Sequence, residues 1–260
     1  MCLGRVVTVA EALALVAAGV VAGVFSTVVG LASVVSYPAL LAIGLSPLSA
    51  NMTNTVALLF TGVGAAAGSR PELAGQATRL RRLGTIAALG GGAGAALLLI
   101  TPPQTFVRAA PVLIGAASLA LAVPSRQDRA PGPGIEPGHD ERSPWLLAGV
   151  SGVAVYIGYF GAAGGIVMLA LLIAMVAEPL ARVNAVKNML GAVANAVAAV
   201  AFAVFGHVDW AAVVPLAGGF LVGGWTGPAL VRRIPGRVLR IGVAVCGLVV
   251  AVKLGISAYR

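Results

Sequence analysis

Asn184, Lys187, Asn188 and Asn195 stand in the stretch N-A-V-K-N-M-L-G-A-V-A-N, which opens an apolar run continuing to Phe205. The i, i+4, i+11 spacing of the asparagines puts their amides on one helical face, with Lys187 close beside them. Lipid does not solvate an ammonium or a carboxamide, so this face is expected to point into a protein interior or a wet cavity. An ammonium attracts an anion and amides donate hydrogen bonds to it, so the chemistry on offer is anion binding. Two readings of Lys187 stand side by side. It belongs to an intramembrane ligand site, or it snorkels to the headgroup layer where Arg182 already lies.

A second polar set lacks the charge. Asn51, Thr53, Asn54 and Thr55 follow Pro47-Leu48 as Asn184, Lys187 and Asn188 follow Pro179-Leu180. Asn51 with Thr55 and Asn54 with Leu58 form adjacent i, i+4 stripes, so part of the set is expected to face the same site. Helix capping after Pro47 is the simpler account of Ser49 and extends to Asn51. Gly161, Gly164 and Gly165 precede a short apolar run from Ile166. A half-helix starting there would offer free backbone N–H groups and a positive dipole end to an anion; close helix packing is the competing explanation. Tyr156 and Tyr159 read as interfacial anchors before ligand contacts. Asp209 and His207 read as members of a solvated loop beside Trp210, with proton coupling by Asp209 as the alternative; Glu11 reads as an end-of-helix residue and His139 as solvated. There is no Ser/His/Asp, HExxH, P-loop or CxxC pattern, so nothing points to an enzyme, a metal, a cofactor or an ATP-driven pump.

These groups must be positioned by elements that composition identifies. Of 260 residues, 59% are hydrophobic and 10% charged, with a mean hydropathy of +1.00. Soluble domains carry about a quarter of their residues as charge. Apolar stretches near the ~20 residues that span a bilayer recur throughout, which makes this an all-α polytopic membrane protein. The net charge of +9 lies mainly between the apolar runs, where it sets topology; nucleic acid is not an expected partner. Cys2 and Cys246 are isolated, so neither a disulfide nor a metal site is expected.

The apolar runs fall at about 8–29, 32–44, 50–68, 83–100, 105–123, 145–160, 164–177, 183–205, 211–231 and 238–257. The runs at 32–44 and 164–177 are short, and each follows a glycine-containing break (Gly30 in one case, Gly161, Gly164 and Gly165 in the other). Short, glycine-broken segments at corresponding places in two halves point to a binding site between repeats. Gly19 and Gly23 open the first half as Gly149 and Gly152 open the second. The organisation expected is a first repeat over 1–123, a polar Pro/Gly-rich linker over 124–144 and a second repeat over 145–260, about five segments in each repeat.

Charge then orients the halves. Basic residues cluster at Arg70, Arg79, Arg81 and Arg82, at Arg126, Arg129 and Arg142, at Arg182 and Lys187, and at Arg232, Arg233, Arg237 and Arg240. Placing those regions in the cytoplasm leaves only Arg5, Arg108, Lys253 and Arg260 of the 17 basic residues outside. The basic loop joins the third and fourth runs of the first half but the fourth and fifth of the second. The equivalent loops at 101–105 and 206–210 carry no Lys or Arg. One repeat is therefore expected upside down relative to the other, with both termini extracytoplasmic. Inverted repeats are an architecture of secondary transporters.

The stretches G-V-V-A-G-V-F-S-T-V-V-G (19–30), Y-P-A-L-L-A-I-G-L-S-P (37–47), N-M-T-N-T-V-A-L (51–58), R-V-N-A-V-K-N-M-L (182–190), F-G-H-V-D-W (205–210) and G-G-F-L-V-G-G-W-T-G-P (218–228) with R-R-I-P (232–235) together resemble the TauE/SafE sulfite-exporter family of bacterial membrane transporters. The glycine cluster usual after that family's first helix reads V-V-G-L-A-S-V-V here; a version of it survives as G-A-A-G-G (161–165). The resemblance implies a multi-pass protein of the bacterial cell membrane that transports, usually exports, small anions such as sulfite, sulfonates or organosulfur carboxylates. The expectation is a secondary carrier working by alternating access. Its anion site would draw on Lys187, Asn184, Asn188, Asn51, Asn54, Thr55, Gly164 and Gly165. A non-transporting partner or sensor subunit and an anion channel are the alternatives, and homo-oligomerisation is left open.

Overall fold

The computed structural model describes residues 7–28, 30–102, 104–105, 143–161, 164–176 and 178–231, with Val252 and Ile256. The fifth and tenth apolar runs and the linker lie almost wholly outside these residues. Among the described residues every regular element is a helix.

Local chemistry sets where the helices start and stop. Helix α1 (Val9–Val28) opens on a reciprocal box: the Glu11 carboxylate accepts from the Thr8 N–H (2.8 Å) and hydroxyl (3.0 Å), and the Glu11 N–H donates to Thr8 Oγ1 (3.2 Å). The helix breaks at Gly30, whose φ of 88° is open to glycine and strained for other residues. Helix α2 (Ala32–Ala42) follows. Helix α3 (Pro47–Gly68) is capped by Ser46 Oγ, which accepts from Ser49 N–H, with Pro47 in the first turn. A single turn, α4 (Arg70–Leu73), leads into α5 (Ala77–Ile100). After the linker come α6 (Pro144–Tyr159), a break at Gly161 with φ 72°, α7 (Gly164–Met175), α8 (Leu180–Phe205) and α9 (Trp210–Val231). Asp209 caps α9 by accepting from the Ala212 N–H at 3.0 Å, so this carboxylate holds a helix start.

Among the described residues, four helices are long and apolar enough to cross a bilayer: Val9–Val28, Ala77–Ile100, Leu180–Phe205 and Trp210–Leu230. Helix α3 has 22 residues, but its apolar character is diluted by Asn51, Thr53, Asn54 and Thr55, all buried against protein. Helices α2 and α7 contain 11 and 12 residues. At 1.5 Å per residue they reach roughly 16 and 18 Å, about half of a ~30 Å hydrocarbon core. They are half-helices, each beginning just past a glycine break.

Each half of the chain lends a helix to the other. Helix α9 lies against α1 and α3, whereas α5 lies against α6 and α8; α3 and α8 join the two groups. One buried cluster includes Leu15, Leu40, Phe202, Leu216 and Phe220, the other Leu146, Met168, Leu172 and Leu190. In lipid, helix association relies on close backbone approach more than on apolar burial. Glycines provide it: a Cβ at Gly19 would lie 2.5 Å from Leu216 O, and one at Gly223 would lie 2.2 Å from Val20 O. On α5, a Cβ at Gly94 would lie 2.0 Å from Val155 O. Gly149 and Gly152, the expected counterparts of Gly19 and Gly23, do not make such an approach; Gly158 does, against Gly91. The reason is that α6 meets α5 through its C-terminal end. Leu13, Phe60, Leu89, Val200 and Trp225 face outward, as lipid-facing residues should.

Candidate functional site

Lys187 is 2% exposed and lies about two turns inside α8. Its Nζ donates to Thr27 O at 3.2 Å and Ser26 O at 3.3 Å. Asn184 Nδ2 and Asn188 Nδ2 donate to the same Thr27 carbonyl at 2.9 and 3.2 Å. These carbonyls belong to the last turn of α1, where no further helical N–H arrives to bond them. They also form the negative end of that helix, which suits an ammonium. The polar face of α8 therefore closes the broken end of a helix from the opposite half. Among the described residues no carboxylate pairs with Lys187.

An ammonium and two carboxamides converge on two carbonyl oxygens. Beside them lies a cavity of about 60 Å³ bounded by Lys187 and Asn188. Both halves build its wall: Ser26, Thr27, Gly30 and Ala32 around the first break, Leu58, Thr61 and Ala65 on α3, Gly161 and Gly165 at the second break, and Gly191 and Asn195 on α8. The starts of α2 and α7 meet there. A Cβ on Gly30 would lie 2.5 Å from Gly165 Cα, and one on Gly165 2.5 Å from Gly30 Cα, so the two breaks touch backbone to backbone. The ammonium gives the hollow a net positive charge, with two helix N-termini and the carbonyl end of α1 around it.

The expected site residues divide accordingly. Lys187, Asn188 and Gly165 line the cavity. Asn184 stands behind it on Thr27 O. Gly164 turns towards the side chains of Ile157 and Tyr156. Asn51, Asn54 and Thr55 are buried away from the cavity: Asn51 Nδ2 donates to Tyr159 O (3.3 Å), Asn54 Nδ2 to Ser33 Oγ (3.2 Å), and Thr55 Oγ1 to Asn51 O (2.9 Å). Tyr156 and Tyr159 pack against the first buried cluster. Residues outside the expected set complete the wall, above all Thr61, Gly191 and Asn195. Thr61 lies seven residues after Asn54, on the stripe that continues through Leu58 and Ala65. That periodicity was the signal available for it.

The polar bonds recur in pairs. Asn51 donates to the last turn of α6 (Tyr159 O) as Asn184 donates to the last turn of α1 (Thr27 O). Ser49 Oγ, in the first turn of α3, donates to His207 O at 2.9 Å; Arg182 Nη2, in the first turn of α8, donates to Ala74 O at 3.0 Å. The members of each pair come at nearly the same offset along the chain. Their chemistry differs: Arg182 also pairs with Glu178 (3.3 Å), which meets Arg79 at 3.5 Å, whereas Ser49 bonds as a neutral hydroxyl, with Asp209 N–H donating to Thr53 Oγ1 at 3.0 Å nearby.

A model of the family described as Sulfite exporter TauE/SafE matches residues 15–254, nearly the whole chain, and the protein belongs to that family. It is thus a multi-pass membrane protein of a transporter family. No curated protein and no solved structure matches it.

Proposed function

We propose that this TauE/SafE member is a secondary carrier that moves small anions such as sulfite, small sulfonates or organosulfur carboxylates through the cell membrane by alternating access. The observation that carries the reading is the hollow between the two glycine breaks, where the buried Lys187 ammonium and the starts of two half-helices converge. A pathway for anions needs such a field at mid-depth, because a bare anion in lipid is not solvated. Lys187 supplies the charge, Asn188 and the half-helix N–H groups supply hydrogen bonds, and Asn184 holds the end of α1 in place.

The paired bonds support an inverted-repeat arrangement. In such folds, discontinuous helices from both repeats meet at the binding site and one repeat rocks against the other. The Arg182–Ala74 and Ser49–His207 links would then be the two closures, one at each end of the pathway, with the arginine-rich closure facing the cytoplasm and both termini outside.

Reconstitution of the full chain in liposomes tests this. Sulfite efflux should saturate with concentration and speed up when sulfite is present on the far side. Flux that rises linearly without trans-stimulation would make the protein a channel. No flux across a panel of small anions would favour a non-transporting partner.

A further inference from the structure

Threonines inside these helices turn their hydroxyls back on their own backbone. Thr27 Oγ1 donates to Gly23 O at 3.1 Å, Thr55 Oγ1 to Asn51 O at 2.9 Å and Thr226 Oγ1 to Val222 O at 2.9 Å, each reaching the carbonyl four residues back. Thr53 is met another way, since its Oγ1 accepts the Asp209 N–H. Among the described residues, Thr61 is the buried threonine that bonds to nothing. Its Oγ1 is enclosed, the residue is 4% exposed, and it lines the cavity that Lys187 and Asn188 border. Asn54 and Asn184 also keep an oxygen unmet, but their amide nitrogens are bonded; Thr61 has one polar group and that group has no partner. Buried polar groups are seldom left so.

The turn that carries Thr61 is held from two sides. A Cβ on Gly224 of α9 would lie 2.5 Å from Thr61 O, and one on Gly62 would lie 2.5 Å from Ala192 Cβ on α8. The hydroxyl is therefore presented at the hollow by a backbone pressed between two helices. We infer that Thr61 is a ligand of the transported anion, donating its hydroxyl hydrogen to an anion oxygen from α3 while Lys187 and Asn188 hold the anion from α8. This rests on the transport reading above and adds to its site a side-chain contact from the first half of the chain. A hydroxyl turns about its C–O bond to suit its partner, so the contact serves an oxyanion in any protonation state. An anion held in this way ties α3 to α8 across the boundary between the halves.

Thr61→Val tests the contact, because valine keeps nearly the same shape and removes the hydroxyl. In proteoliposomes the KM for sulfite should rise about tenfold, the effect of one hydrogen bond to an anion, and Thr61→Ser should bring it back towards native. In detergent, Thr61→Val without sulfite should melt no lower than the native protein, since no bond within the protein is lost, while the upward shift that sulfite produces should shrink. A native KM in Thr61→Val, or a KM raised equally in Thr61→Ser, overturns the inference. So does a lower melting temperature without sulfite beside an unchanged sulfite shift, the outcome expected of a hydroxyl that serves the fold through a bound water. Should Thr61→Val fail to insert, Thr61→Ala against Thr61→Ser makes the same comparison. Absence of native flux, with a sulfite shift that shrinks in Thr61→Val, would sink the transport reading and leave the contact standing. Saturable native flux with an unchanged KM in the variant would sink the contact alone.

Discussion

Lys187→Met is the sharpest perturbation of the site. Methionine keeps the length and flexibility of the lysine stem and removes the charge. The fold should tolerate it, because Thr27 O retains the Asn184 and Asn188 amides at 2.9 and 3.2 Å and the cost of burying an ammonium disappears. Transport should not. A monoanion in the cavity would sit about 5 Å from Nζ, where two unit charges at an effective dielectric of ~20 attract by about 3 kcal/mol. Losing that attraction lowers affinity roughly two orders of magnitude. The assay is initial sulfite flux in proteoliposomes across a concentration series, alongside detergent melting curves and insertion yield. The expected outcome is a large rise in KM with a melting temperature close to native. Normal insertion with an unchanged KM would refute the reasoning, since the ammonium would then serve only to close the end of α1. A large drop in melting temperature with KM preserved would lead to the same conclusion.

Two glycines should behave oppositely. Gly30→Ala places a Cβ in the αL region and within 2.5 Å of Gly165 backbone, so it should cost about 1–3 kcal/mol and show as a lower melting temperature. Gly191→Ala meets no atom within 4 Å and gains helix propensity of about 1 kcal/mol, so the protein should be no less stable while its flux falls as the cavity narrows. The two closures should also separate. With Cys2 and Cys246 replaced and a cysteine placed at Gly191, Arg182→Ala should increase labelling by a membrane-impermeant thiol reagent from the cytoplasmic side. Ser49→Ala should increase it from the other. The same change in both variants would refute the assignment of one closure to each face.

Periodicity made the α8 face legible before any coordinates, because three amides and an ammonium on a lipid-length helix can satisfy themselves only inward. The shortness of 32–44 and 164–177 was legible for the same reason: the glycines at 30 and 161 end one apolar run and start another. What Lys187 bonds to was not legible. Its partners are the Ser26 and Thr27 carbonyls, and backbone atoms carry no sequence signature. Thr61 was hidden differently. A threonine in an apolar helix ordinarily returns its hydroxyl to its own backbone, as Thr55 and Thr226 do, so an unpartnered one emerges only from geometry. The exchange of α5 and α9 between the halves was equally out of reach, since a Gly-rich stripe announces close approach without naming the helix approached.

The halves differ most where the charge sits. Counting from the helix starts, Asn54 on α3 stands where Lys187 stands on α8, and Asn51 where Asn184 stands. The broken end of α6 accepts one neutral amide from Asn51, and Asn54 turns to Ser33; the broken end of α1 accepts an ammonium and two amides. A lysine at both places would bury two like charges within one bundle, each without a carboxylate to offset it. With one lysine, the site carries a single positive charge eased by two carbonyls, which a single negative charge balances. On the proposed inverted-repeat reading, an anion drawn to Lys187 would lie closer to α8 than to α3, so the repeat that carries Lys187 would hold the cargo while the other moved past it.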